Sequence, residues 1–313
     1  MKTIYDPKLI EEATCATVGF FDGVHLGHRF LLEQLKKQAH GDDTGDLSLP
    51  TAAITFAQHP RQVLQSDFQP QLLTSLDERL QQLATTGVDY CYVLDFTPAL
   101  AATSAKEFLQ NTLSKQLKVK KLLAGYDHRF GKGRIDDFQN YVDYGTACGM
   151  TVRRGDPRGC PTANALPISS TAIRRALAEG NQQAANEMLG YTYALAGKVV
   201  TGDRLGHQIG FPTANLELLE PLKMLPKEGA YAVRTHLPDG RIHSGMAYIG
   251  HRPSLAKWDE LRIEIHLFDF SGDLYGQILS VEFVDFLRPS AKFGSVAELK
   301  AQLQRDMQRA KEI

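Results

Sequence analysis

Two histidines three residues apart, inside a glycine-rich run, are the first feature with an evident chemical use. Gly19-Phe20-Phe21-Asp22-Gly23-Val24-His25-Leu26-Gly27-His28 follows an apolar, strand-like stretch and opens an amphipathic, helical one. Imidazoles at His25 and His28 would point toward one spot at a helix entry. Gly23 and Gly27 allow the backbone to approach a ligand closely. A helix N-terminus adds free N–H groups and partial positive charge. This combination suits a triphosphate attacked at its α-phosphorus, where the work is to position the reactants and stabilise charge on non-bridging oxygens.

Three more segments fall where such a site would need them. Phe56-Ala57-Gln58-His59-Pro60 closes a second strand-like run, and reads equally well as a plain strand-ending turn. Gly125 to Gly131 places Asp127 and Arg129 between glycines; taken alone it is an ordinary loop. Ile168-Ser169-Ser170-Thr171-Ala172-Ile173-Arg174 puts hydroxyls at a helix start, with Arg174 one turn in and on the side of Ser170. Hydroxyls, backbone amides and a guanidinium can clamp a diphosphate; an N-cap with a solvated arginine gives the same letters.

The second half carries a different set. Gly202 to Asn215 contains a glycine loop (Gly202, Gly206, Gly210) followed by Thr213 and Asn215. Side chains two apart on an extended backbone share a face, so this hydroxyl and amide could ligate a nucleotide-bound metal. Pro161-Thr162-Ala163-Asn164 repeats the tetrapeptide without the glycine loop and reads as coincidence. From Arg262 to Phe268 polar and apolar residues alternate, which sets Glu264 opposite the apolar face, beside Arg262 and His266. A carboxylate placed so can act as general base toward a primary hydroxyl, or can form a cross-strand ion pair.

The elements needed to hold these residues differ between the halves. Residues 13–20, 51–56, 90–94 and 121–124 read as strands, alternating with helical patterns over 28–38, 75–85 and 105–117. That alternation predicts a Rossmann-like α/β fold on a parallel sheet, with ligands beyond the carboxyl ends of the strands. One helix is expected from Thr171 to Leu189, with Ser170 as N-cap and Gly190 past its end. Strands without intervening helices follow at 194–200, 230–236, 241–249, 262–268 and 278–286, then a helix opened by the capping box Ser295-x-x-Glu298. This predicts an antiparallel sheet or barrel, with a helix at the end of the chain.

The 313 residues, with Lys plus Arg 35 against Asp plus Glu 36, favour two domains and argue against broad binding to nucleic acid or an anionic membrane. Cys15, Cys91, Cys148 and Cys160 form no CxxC pair. No apolar run approaches the length of a membrane span, and Met1 to Glu12 lacks a signal-type stretch, so a cytoplasmic setting is expected. Oligomeric state is not readable from the sequence.

In order and spacing, the first four segments resemble the adenylyltransferase module of the bacterial bifunctional riboflavin kinase/FMN adenylyltransferase family. Residues 197–306 resemble its kinase module through Gly210 to Asn215, Pro226 to Val233, Glu264, Asp273 to Gly276, and Arg288-Pro289 with Phe293. The resemblance implies a Rossmann-like adenylyltransferase domain over 1–188 and a kinase domain over 189–313 that is an antiparallel Greek-key β-barrel with a C-terminal helix. It implies two reactions, riboflavin to FMN and FMN to FAD, with ATP and Mg2+ in both. His25, His28 and Arg174 would carry adenylyl transfer. ATP would be lined by Gly19, Phe20, Asp22, Gly23, Gly27, Asp127, Arg129, Ser169, Ser170 and Thr171, and in the kinase by Gly202, Gly206 and Gly210. Thr213 and Asn215 would meet the metal, and Glu264 would be the kinase base. Phe56, His59, Pro60, Arg288 and Phe293 would meet flavin. Tyr248 and Ser290 stand where the family usually has Asn and Glu. A chain with an active adenylyltransferase and a weakened kinase, and a flavin- or nucleotide-binding regulator without turnover, are the competing readings.

Overall fold

The computed structural model describes all residues except 41–47, 66, 127–128, 133–136, 158–161, 164–165, 203–205, 207–208 and 252–260, with backbone only at 162, 163, 166 and 167. Contacts divide the chain into two compact units, Met1–Ile168 and Ser169–Ile313.

The first unit is built on six parallel strands: β1 (Lys2–Ile4), β2 (Thr14–Val18), β3 (Thr51–Phe56), β4 (Tyr90–Leu94), β5 (Val119–Ala124) and β6 (Thr151–Arg154), in the order β1-β4-β3-β2-β5-β6. β2 and β3 are buried at every residue, as expected of central strands covered on both faces. Alternate residues feed two cores. Ala16, Val18, Ile54 and Leu122 pack on one side, and Cys15, Ala53, Cys91 and Leu123 with α1 (Leu26–Ala39) on the other. From β2 the chain moves outward through β3 to β4, then returns to the other side of β2 for β5 and β6. The loop after β2 therefore opens at the switch point of the sheet, the usual binding crevice of this architecture. Short helices α2 (Pro60–Leu64), α3 (Leu76–Ala84), α4 (Pro98–Ala102), α5 (Ala105–Glu107, running on as a π-helical stretch, Phe108–Gln116) and α6 (Phe138–Thr146) complete the unit, with a small hairpin of β7 (Thr162–Ala163) and β8 (Leu166–Pro167). The edge strands β1 and β6 and helix α6 were absent from the sequence expectation. β6 shows why: four residues, three of them exposed, carry no usable alternation.

The second unit opens with two helices where one was expected. α7 (Ser170–Glu179) stops at Gly180, whose φ of 81° is left-handed, and α8 (Gln182–Leu189) starts at Asn181, whose side chain accepts from Ala184 N–H. Ser169, not Ser170, caps α7 by accepting from Ala172 N–H. Both helices pack within this unit. Leu177 O accepts from Lys227 N–H, and Asn186 Nδ2 donates to Phe283 O.

The rest is a closed antiparallel barrel of β9 (Ala194–Val200), β10 (Ala214–Leu218), β11 (Gly229–His236), β12 (Ile242–His251), β13 (Leu261–Leu267) and β14 (Ile278–Pro289). Around it β14, β11, β12 and β13 lie side by side, the Greek-key order. Leu195, Tyr231, Ile263, Ile265, Val281 and Phe283 are buried at 4% exposure or less. A second apolar cluster forms outside the barrel, where Ala230, Ala232, Met246 and Leu287 meet Leu303, Met307 and Ala310 of the C-terminal helix (Val296–Glu312).

Candidate active sites

In the first unit, the side chain of His25 caps α1 by accepting the His28 N–H at its Nδ1. A neutral His25 with an accepting Nδ1 carries its proton on Nε2. The two rings are stacked, with centroids 3.6 Å apart and planes 18° from parallel. Desolvation, and then the neighbouring His25, hold His28 well below the usual histidine value of 6.5, so its resting form is neutral. Both imidazoles can thus donate or accept without bringing a permanent charge. A Cβ at Gly27 would lie 3.1 Å from Ile168 O and 3.2 Å from the His25 ring, a tight approach on both sides.

The loop is strained and firmly anchored. Phe21 and Val24 adopt positive φ values of 55° and 38°. Asp22, 4% exposed, turns inward: its carboxylate accepts from Leu73 N–H at 3.0 Å and from Thr74 N–H at 3.0 Å. Thr74 Oγ1 in turn accepts from Gly23 N–H at 3.0 Å. Asp22 therefore shapes the loop rather than presenting charge to solvent. Phe20 is partly buried, with His59 edge-on at 4.8 Å. His59 caps α2, of which Pro60 is the first residue, and lies 5.4 Å from the ring of Phe68. Phe56 is 8% exposed and packs its ring against Phe96. Arg129 is exposed, whereas Asp127 lies outside the described residues. Ser169, Ser170, Thr171 and Arg174 all fall on the first turns of α7, in the second unit, with Ser170 and Arg174 both half-buried.

In the second unit strand register assembles the site. Asn215 pairs with Glu264, Glu264 with Tyr248, Tyr248 with Ala230, and Ala230 with Arg288. These five residues form one transverse row on the outer face of the barrel, where alternation places Glu264 between buried Ile263 and Ile265. A cavity of about 730 Å3 lies over this face, lined by Thr213, Tyr248, Glu264, His266, Arg288 and Phe293 among others, and by Leu299, Leu303 and Asp306 of the C-terminal helix. Its size and apolar floor with a few polar groups suit a small organic ligand.

Thr213 Oγ1 donates to Glu264 Oε2 at 3.2 Å. Gly206 lines the cavity and tolerates no side chain, since a Cβ would sit 2.2 Å from Phe211 O. A Cβ at Gly202 would meet the Asn215 amide, while Gly210 takes a left-handed φ of 86°. Arg288 is fixed by Asp306, with Nε donating to the carboxylate at 2.8 Å, and its guanidinium lies 5.6 Å from the Phe293 ring centroid. The hydroxyls of Tyr248 and Ser290 are hydrogen-bonded to each other, so two of the positions that depart from the family pattern meet at the cavity. Asp306, Tyr248 and His266, whose Nδ1 lies 2.8 Å from Pro212 O, were not among the expected site residues. Among the described residues no group of three or more His, Cys, Asp or Glu could hold a metal by itself.

The model of FAD synthetase matches residues 8–172 and that of riboflavin kinase residues 189–313. The bifunctional riboflavin kinase/FMN adenylyltransferase of Listeria monocytogenes is 38% identical, covering 98% of this chain and 96% of the relative. Those of Haemophilus influenzae and Escherichia coli K12 are 36% and 38% identical over 99% and 97% of this chain.

The chain belongs to the bifunctional riboflavin kinase/FMN adenylyltransferase family.

It is a transferase with kinase and nucleotidyltransferase activities that takes riboflavin through FMN to FAD with ATP. A crystal structure from Streptococcus pneumoniae, titled a macrolide-efflux protein, shares the fold at a TM-score of 0.85 and 32% identity, covering 99% of this chain and 98% of that one. Efflux is said of that protein; among the described residues here no helix is long and apolar enough to cross a membrane.

Proposed function

We propose that the two steps use separate sites, and assign residues to each. In the first, the FMN phosphate attacks the α-phosphorus of ATP and pyrophosphate leaves. The stacked His25 and His28 face the non-bridging oxygens. The arriving triphosphate favours protonation of one ring, which spreads the developing charge. Ser169, Ser170, Thr171 and Arg174 hold the leaving diphosphate. Phe56, His59 and Pro60, with the Phe68 ring beside His59, provide the wall for the flavin.

In the second site Glu264 removes the proton of the riboflavin 5′-hydroxyl as that oxygen attacks the γ-phosphorus. Thr213, Asn215 and Glu264 offer oxygen donors of the kind magnesium prefers. The Thr213 hydroxyl gives its hydrogen to Glu264 and keeps its lone pairs for a cation. Thr213 and Asn215 would hold the magnesium of MgATP, which offsets charge on the leaving diphosphate. Arg288 and Phe293 border the flavin end. The functional boundary is proposed at residues 188/189. A cytoplasmic setting is favoured by Cys15, Cys91 and Cys148, which are all unbridged.

The observation that carries this assignment is the register row from Glu264 through Tyr248 and Ala230 to Arg288, all lining one cavity, with Asn215 paired to Glu264 at the end of the row. Chromatographic resolution of products from riboflavin, FMN, ATP and Mg2+ tests it. Glu264→Ala should stop FMN formation and leave FAD formation from supplied FMN intact, and His28→Ala should do the reverse. Equal loss of both steps in either variant would refute separate sites.

A further inference from the structure

Arg79, at 1% exposure, is the most deeply buried charged side chain among the described residues. Burial lowers its pKa only to about 10, so it remains a cation at neutral pH. Its charge is met by the nearby Asp22 carboxylate and by two main-chain carbonyls: Nη1 donates to Phe20 O at 2.9 Å and Nη2 to Phe56 O at 2.7 Å. Phe20 belongs to the glycine–histidine loop, and Phe56 ends the strand that leads into His59 and Pro60. One guanidinium therefore spans two loops that sequence separates widely. It also lies over the Phe20 ring, 4.1 Å from the centroid, while His59 meets the same ring edge-on. Thr55 Oγ1 adds a second donor to Phe20 O. An apolar side chain of similar volume would fill this space without the desolvation cost of a charge. What it could not do is tie the carbonyls together.

We infer that Arg79 is a positioning residue that couples the nucleotide loop to the flavin loop, so that ATP bound at the first tightens FMN at the second. This rests on the loop assignments proposed above. A displacement of the Phe20 main chain by nucleotide is passed through the planar fork to Phe56 O, and through the Phe20 ring to His59. Such coupling between sites typically amounts to a change in affinity of about fivefold or more.

The test is a matrix of initial rates of FAD formation at varied FMN and ATP in the full-length chain, since FAD formation reports only the first site. In the wild type, saturating ATP should lower the KM for FMN by about fivefold or more. In Arg79→Met that factor should fall to one while FMN formation from riboflavin is unchanged. Arg79→Lys, which keeps donors for both carbonyls, should restore it. If Arg79→Met does not fold by thermal melting, Arg79→Gln, whose amide reaches one carbonyl, is read in the same way. A variant that loses only kcat and keeps the wild-type factor would overturn the coupling and leave a packing role. A wild-type factor of one would overturn it outright. A wild type that makes FMN but no FAD would instead bring down the assignment of the loops.

Discussion

The loop after β2 is held by buried polar bonds, whereas the face of the barrel is held by strand register. A glycine-rich loop has no ladder to place it. It adopts positive φ at Phe21 and Val24 because Asp22, Thr74 and Arg79 anchor it from beneath. The row from Asn215 to Arg288 needs no such anchors, since each member is opposite its neighbour by pairing alone. Tolerance to substitution should follow from this: the first site fails when one buried acceptor is removed, while the second fails where it leaves the sheet.

The largest effect is expected at Asp22. Asp22→Ala leaves the N–H groups of Leu73 and Thr74 buried without their acceptor. Hydrogen bonds to a charged group contribute about 1.5–3 kcal/mol each, so the first unit should lose about 3–6 kcal/mol. FAD formation should drop by more than about tenfold, which corresponds to 1.4 kcal/mol in barrier height. FMN formation should be unaffected. Thermal melting and product analysis check both, and an equal fall in FMN formation would break the contrast between the sites.

Asp306 tests the place where the second site leaves the sheet. It accepts from Arg288 and from Gln302, and the Arg288–Asp306 side chains are 16% and 6% exposed. Asp306→Ala leaves a largely buried guanidinium without its carboxylate, at a cost of about 3 kcal/mol. The C-terminal helix should loosen from the barrel, and the KM for riboflavin should rise more than kcat falls. FAD formation from FMN should hold. A variant with unchanged riboflavin kinetics would show that register alone suffices to build this site.

Most of what the sequence made legible is local in origin. The alternation at Glu264 and the glycines around His25 each follow from chemistry within a few residues. Arg79 and Asp306 went unread because their partners are distant, yet both left a trace. Leu76, Arg79, Leu80 and Leu83 follow helical spacing, as do Leu299, Leu303, Asp306 and Ala310. A charge inside an apolar stripe must be paired or must serve a purpose. The break between α7 and α8 was also readable, since Gly180-Asn181 is a helix stop followed by a helix start. The long apolar periodicity on either side concealed it. The row across the barrel was not readable in principle, because register depends on loops and closure that no single strand encodes.

The smallest effect separates the two sites by pH. Burial and the adjacent His25 hold His28 well below 6.5 in the folded chain, while in the unfolded chain it titrates normally. As pH falls below 6.5 the unfolded state takes up a proton that the folded state refuses. Stability contributed by neutral His28 is therefore complete above that value and is lost on acidification, at about 1.4 kcal/mol per unit of separation between the two pKa values. Melting of the first unit should fall more steeply between pH 7.5 and 5.5 in the wild type than in His28→Gln, which cannot charge. Added ATP should narrow that gap, because a triphosphate favours the protonated ring. Parallel pH profiles for the two proteins would mean that the stacked pair titrates as free histidines do, and the neutral resting state assigned to His28 would fall.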